Sequence, residues 1–85
     1  MSRYEIEAKV IAAAAEQAGV EKEQITHATH FRNDLNFDSL DEVEFAMTME
    51  DEFGLSIQDD EVQKMLTIGA VVDYIVAHAQ AEAAS

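Results

Sequence analysis

Cysteine, proline and tryptophan are all absent from this 85-residue chain, glycine occurs three times, and lysine and arginine together number only five. Each shortage removes a class of explanation. Without cysteine the polypeptide has no disulfide, no thiolate metal site and no cysteine nucleophile, so any thiol chemistry needs an added group. Without proline and with little glycine, it lacks the turn punctuation of an all-β domain, and its 48% hydrophobic content favours helices. Five basic residues against 18 acidic ones give a formal net charge of −13, which argues against nucleic acid or an anionic membrane as partner and favours a basic protein surface. No run approaches the ~20 apolar residues that span a bilayer, and the opening MSRYEIEAKV lacks a signal-peptide core, so the expected location is the cytoplasm.

The length suits one domain over residues 1–85, with only about 60% of the unfolded surface buried on folding. Ser2 and Glu5 stand at capping-box spacing, and Ile6, Val10, Ile11 and Ala14 share a helical face before Gly19, which predicts a helix over 3–18. Residues 20–38 show no sustained period, yet Val20, Ile25, Phe31 and Leu35 recur in polar surroundings. They predict a long ordered loop pinned by those side chains, and loops of that length are uncommon without a function.

A second helix is expected over 39–53, with Asp38 or Ser39 as N-cap, Asp41 and Glu42 in the first turn, and Gly54 as the stop. Its apolar residues fall on two nearly opposite stripes. Phe45, Ala46, Met49 and Phe53 can face a bundle, which leaves Leu40, Val43 and Met47, bordered by Glu44 and Asp51, as an apolar and acidic surface for a basic partner. A short third helix is expected over 59–65. Thr67 caps a fourth over 68–80 with Ile68, Val71, Val72, Ile75 and Ala79 inward, and the tail QAEAAS is expected to fray.

Ser39 is the residue that needs a reason. It stands at or beside a helix N-terminus, where phosphate is well accommodated, and at the end of a loop that an enzyme can reach. As a plain cap it would be worth about 1 kcal/mol. The stretch Asp34-Leu35-Asn36-Phe37-Asp38-Ser39-Leu40-Asp41 resembles the D-L-G-x-D-S-L-D signature of acyl carrier proteins. The likeness covers most of the chain, from Ala28-Thr29-His30-Phe31 through Val43-Glu44 and Met49 to Phe53, to Ile57, Asp59 to Met65, Thr67 and Asp73-Tyr74-Ile75.

The resemblance implies an all-α four-helix bundle with a long first loop and a short third helix, a monomer that carries and does not catalyse. It implies 4′-phosphopantetheine joined to Ser39 by a phosphopantetheinyl transferase, with acyl groups held as thioesters on its terminal thiol. It implies that Asp38, Leu40, Asp41, Val43, Glu44, Met47 and Asp51 meet basic docking surfaces on fatty-acid synthesis enzymes and on the transferase. It also implies an acyl cavity lined or neighboured by Phe31, Phe45, Ala46, Met49, Phe53, Ile57, Met65, Leu66 and Ile75. Three residues depart from the family pattern: Asn36 for glycine, Phe37 for a common alanine, and Gln58 for a frequent proline.

Rival readings are weaker. His27 and His30 near Ser39 suggest a hydrolytic triad, but no G-x-S-x-G turn is present, and a calcium loop lacks its D-x-[DN]-x-[DN]-G pattern. The histidines then belong to the loop surface, no metal site is expected, and the acidic stretch attracts cations only loosely. A carrier for a polyketide, peptide or other specialised pathway is the alternative within the class. An unmodified acidic interaction protein is the alternative outside it.

Overall fold

The computed structural model describes residues 2–84, with side chains for residues 2–78. Its elements in chain order are α1 (Arg3–Ala18), a 3-10 turn (Lys22–Gln24), α2 (Ser39–Phe53), α3 (Asp59–Lys64) and α4 (Ile68–Ala84). The fold is all-helical. Among the described residues there is no strand, and an isolated bridge pairs His30 with Thr67.

Local chemistry sets the helix ends. Ser2 accepts the Glu5 N–H while the Glu5 carboxylate accepts the Ser2 N–H, satisfying two first-turn donors at the start of α1. Gly19 and Gly54 stop α1 and α2 in left-handed conformations, with φ of 73° and 64°. Thr67 caps α4 by accepting the Ala70 N–H at 3.2 Å. Gln58 gives α3 no side-chain cap, and α3 ends at Lys64, one residue short of expectation, with no fully buried residue. Helix α4 continues through the stretch expected to fray, to Ala84, as its alanine, glutamine and glutamate content favours. The side chain of Ala79, the expected last member of its inward face, and all of Ser85 lie outside the described residues.

The core forms where the predicted faces meet. Ile6, Val10, Ala14 and Ala15 of α1 pack with Phe45, Ala46 and Met49 of α2 and Ile68, Val71, Val72 and Ile75 of α4. Burying the valine, isoleucine, phenylalanine and methionine side chains among them stabilises by about 1.5–3 kcal/mol each. Helix α1 packs chiefly along α4 and also against α2, while α3 leans on α2. Leu55 and Ile57 bury the α2–α3 connection, which the Glu50 carboxylate holds by accepting the Ile57 N–H at 2.8 Å.

The long loop is ordered by side chains and backbone together. Ile25 and Phe31 are buried and Leu35 is half-buried, but Val20 is exposed and pins nothing. The buried anchor that sequence patterning missed is Phe37, which with Phe31 and Phe45 forms a three-ring cluster at centroid separations of 5.1 to 6.1 Å. The Phe31 N–H donates to Leu66 O, Ile68 N–H to Thr29 O, and Gly69 N–H to His27 O at 2.7 Å. A Cβ on Gly69 would stand 3.0 Å from that His27 oxygen, so the close approach of loop to helix favours glycine.

Asn36 has a φ of 59°, the left-handed conformation glycine would supply, which accounts for its standing in the glycine position of the motif. Asn36→Ala is therefore expected to destabilise by about 1 kcal/mol, because alanine keeps the Cβ that meets the following carbonyl but lacks the short polar side chain that lets asparagine tolerate this conformation, and Asn36→Gly to change stability far less, because glycine has no Cβ there. Urea unfolding of both variants checks this; equal losses would remove the backbone explanation.

Candidate functional site

The N-terminus of α2 is built so that Ser39 is spare. Asp38 is the N-cap: its Oδ1 accepts the Asp41 N–H at 2.9 Å and the Asp41 carboxylate accepts the Asp38 N–H at 3.0 Å. That backbone N–H of Asp41, more than any other contact, holds the Asp38 carboxyl below its ordinary value of 3.8 and keeps it an anion. Of the two capping residues the sequence allows, Asp38 takes the role, and Ser39 becomes the first helical residue with an exposed side chain. Its Oγ accepts a long hydrogen bond from Arg32 Nη2, at 3.4 Å.

Arg32 reaches Ser39 from the long loop while bound to α2. Its Nε donates to Glu42 Oε2 at 2.8 Å and its Nη2 to Glu42 Oε1 at 3.0 Å, a bidentate pair. Hydrogen bonding to Glu42, followed by its charge, raises the guanidinium above its already high ordinary value, so Arg32 stays cationic. The loop side of this arrangement is fixed by His30, whose Nδ1 accepts the N–H groups of Arg32 and Asn33, each at 3.2 Å. His30 is thus part of the loop's backbone support. His27 is exposed, and its backbone carbonyl accepts the Gly69 N–H.

Below Ser39 lies an open cleft of about 670 Å³, bordered by Ser39, Arg32, Glu42, Val43, Val62 and Leu66 among others. Deeper, a much smaller cavity of about 20 Å³ is lined by Phe31, Phe45, Ala46, Met49, Ile57 and Met65, with Glu42, Val62 and Val71. That volume admits about one water-sized sphere. Glu42 and Val62 border both spaces and form the wall between them.

Six of the nine residues expected around a cavity therefore converge on one. Phe53 is half-buried, and Ile75 is fully buried in the core without lining that space. Leu66 faces the cleft beside Ser39 instead, with 46% of its surface exposed. Val62, Val71 and Glu42 went unassigned. Val71 already carried the helical period of α4, and Val62 stands three residues before Met65 at helical spacing, whereas nothing in the pattern of α2 marked one first-turn glutamate as half-buried.

The second stripe of α2 is exposed as its spacing predicts. Leu40, Val43 and Met47 keep 66%, 46% and 58% of their surface in solvent. Glu44 and Asp51 are exposed beside them, and Asp41 is half-buried, its carbonyl accepting from Gln17 Nε2 at 2.8 Å.

The residues fit a phosphodiester-linked arm. The Ser39 hydroxyl is accessible and dispensable to the cap, a cation stands beside it, and the adjoining cleft has apolar walls at Val43, Val62 and Leu66 and polar ones at His30 and Gln63. No described helix is long and apolar enough to cross a membrane. Comparison with known proteins agrees with this chemistry. The family model described as a phosphopantetheine attachment site matches residues 8–75. An acyl carrier protein of Lactobacillus acidophilus is 47% identical over 78 residues, covering 92% of this chain and 98% of that protein. The solved structure of the acyl carrier protein from Enterococcus faecalis, described for novel components that contribute to its high thermal stability, superimposes with a TM-score of 0.78. It is 40% identical, over 91% of this chain and 98% of its own. With a phosphopantetheine attachment domain over most of its length and this similarity in sequence and fold, the chain belongs to the acyl carrier protein family.

Proposed function

We propose that Ser39 is the attachment residue for 4′-phosphopantetheine, and that the protein presents acyl intermediates to fatty-acid synthesis enzymes in the cytoplasm. The observation that carries this is the division of labour at the start of α2: Asp38 performs the capping, and Ser39 Oγ is left exposed beside a cation and a cleft. When bound, the group supplies a terminal thiol that holds an acyl chain as a thioester, which the cysteine-free polypeptide does not.

The remaining work is done by the chain's own residues. Asp38 and Asp41 fix the first turn so that Ser39 faces solvent. Phe31, Phe45, Ala46, Met49, Ile57 and Met65 offer an apolar interior for the acyl chain, and Met49 and Met65 suit it because their unbranched side chains repack around irregular volumes. The space between them is about 20 Å³, room for about one water-sized sphere, so an acyl chain enters only as those walls move apart. Leu40, Val43 and Met47, with Asp38, Asp41, Glu44 and Asp51 around them, form the docking face for a transferase and synthesis enzymes bearing basic residues around an apolar groove.

Intact mass spectrometry after incubation with coenzyme A, magnesium and a broad-specificity transferase is expected to show one added phosphopantetheine. Subsequent loading by a malonyl transferase, but not by a panel of adenylating enzymes, is expected for a fatty-acid carrier. The reverse preference would assign it to a specialised pathway. No mass gain in folded protein would leave an acidic interaction protein.

A further inference from the structure

We propose that the Arg32–Glu42 ion pair is a latch between the Ser39 cleft and the small apolar cavity, making both residues positioning residues for an attached acyl chain; this rests on the attachment proposed at Ser39.

Three observations converge on this pair. Glu42 borders both spaces, so its side chain is a shared part of their wall. That side chain retains only 11% exposure although it carries a charge in the first turn of a surface helix, and the bidentate bond to Arg32 is what holds it there. Burying a carboxylate to that extent is unfavourable unless it is paired, so the pair and the closed position of Glu42 stabilise each other. Across from it Val62 belongs to α3, a helix without a side-chain cap or a fully buried residue, so Glu42 is the more firmly held half of the wall.

Arg32 also stands between two anionic positions. The same guanidinium bonds Glu42 and lies 3.4 Å from Ser39 Oγ, the oxygen that attachment would esterify. Among the described residues no other lysine or arginine borders the cleft, so a negative charge introduced at Ser39 competes with Glu42 for Arg32. Attachment then weakens the latch at the moment a chain first needs the cavity.

The test uses protein loaded at Ser39 with an eight-carbon chain ending in a solvatochromic fluorophore, with loading of every sample verified by intact mass. Emission reports the fraction of chain held in an apolar environment. Arg32→Gln and Glu42→Gln are each expected to raise the ratio of cavity-held to cleft-held chain about threefold, as expected for losing a paired interaction the open state lacks. The double variant is expected to match either single variant, because the two residues act through one pair. Raising the salt concentration should shift unmodified-sequence protein in the same direction and leave the double variant unmoved. Unchanged ratios in both single variants, or independent additive effects, would overturn the latch. Failure of the unsubstituted protein to load at all would overturn the attachment reading and the latch with it, and mass separates that result from the fluorescence outcomes.

Discussion

Ser39→Ala is expected to abolish the phosphopantetheine mass gain completely while changing stability by no more than about 0.5 kcal/mol. The two halves of this result have separate causes. Loss of modification follows from removing the only hydroxyl in the Asp38-Ser39-Leu40 turn. The small stability change follows because Ser39 occupies the first helical position, caps nothing, and is exposed, while alanine is the better helix former. Asp38→Ala should behave in the opposite way. It removes the acceptor of the Asp41 N–H and disrupts the reciprocal bond, lowering Tm by about 4–8 °C, while leaving a hydroxyl that is still modified, though more slowly. Thermal unfolding and intact mass, measured on both variants, decide the assignment. A Ser39→Ala protein that still gains mass would move the attachment elsewhere, and one that loses as much stability as Asp38→Ala would return Ser39 to a capping role.

The same turn shows how much of the molecule the sequence carries by itself. Capping-box spacing at Ser2, glycines at the ends of α1 and α2, and the 3.6-residue periods of α1, α2 and α4 are local signals, and the helices form where those signals place them. The choice between Asp38 and Ser39 as cap is equally local: it rests on the reciprocal partner Asp41, three residues from Asp38, but two adjacent residues both suited to capping leave the spacing open to either. Phe37 and Glu42 were harder to read for a different reason. An aromatic residue in an aperiodic loop declares no face, and its burial depends on Phe31 and Phe45 arriving from other parts of the chain. A first-turn glutamate ordinarily lies in solvent, and Glu42 is drawn inward only because the loop returns Arg32 to it across ten residues. Ile75 shows a different limit. Its period marks it as core, and it is core, but periodicity does not distinguish a wall of a cavity from the packed layer behind it.

That distinction underlies the second large effect. Met49→Ala is expected to destabilise the unloaded protein by about 2–5 kcal/mol, since Met49 is fully buried and its truncation leaves a void that the neighbours only partly fill. Ile75→Ala should cost a similar amount for the same reason. Against a total stability of roughly 5–15 kcal/mol for a domain, both variants are severely weakened, and Met49→Leu, which keeps the volume, should lose less than about 1.5 kcal/mol. Loading an acyl chain separates them. Met49 borders the small cavity, so a chain entering there reaches the space its side chain vacated, and each methylene seated there recovers about 0.8 kcal/mol. Ile75 does not line that cavity, and the void behind it stays out of the chain's reach. Urea unfolding of loaded and unloaded forms should therefore show a larger gain on loading for Met49→Ala than for the unsubstituted protein, and no such excess for Ile75→Ala. Equal gains in the two variants would mean that the chain settles elsewhere, and that the converging side chains of Phe31, Phe45, Ala46, Met49, Ile57 and Met65 are ordinary core.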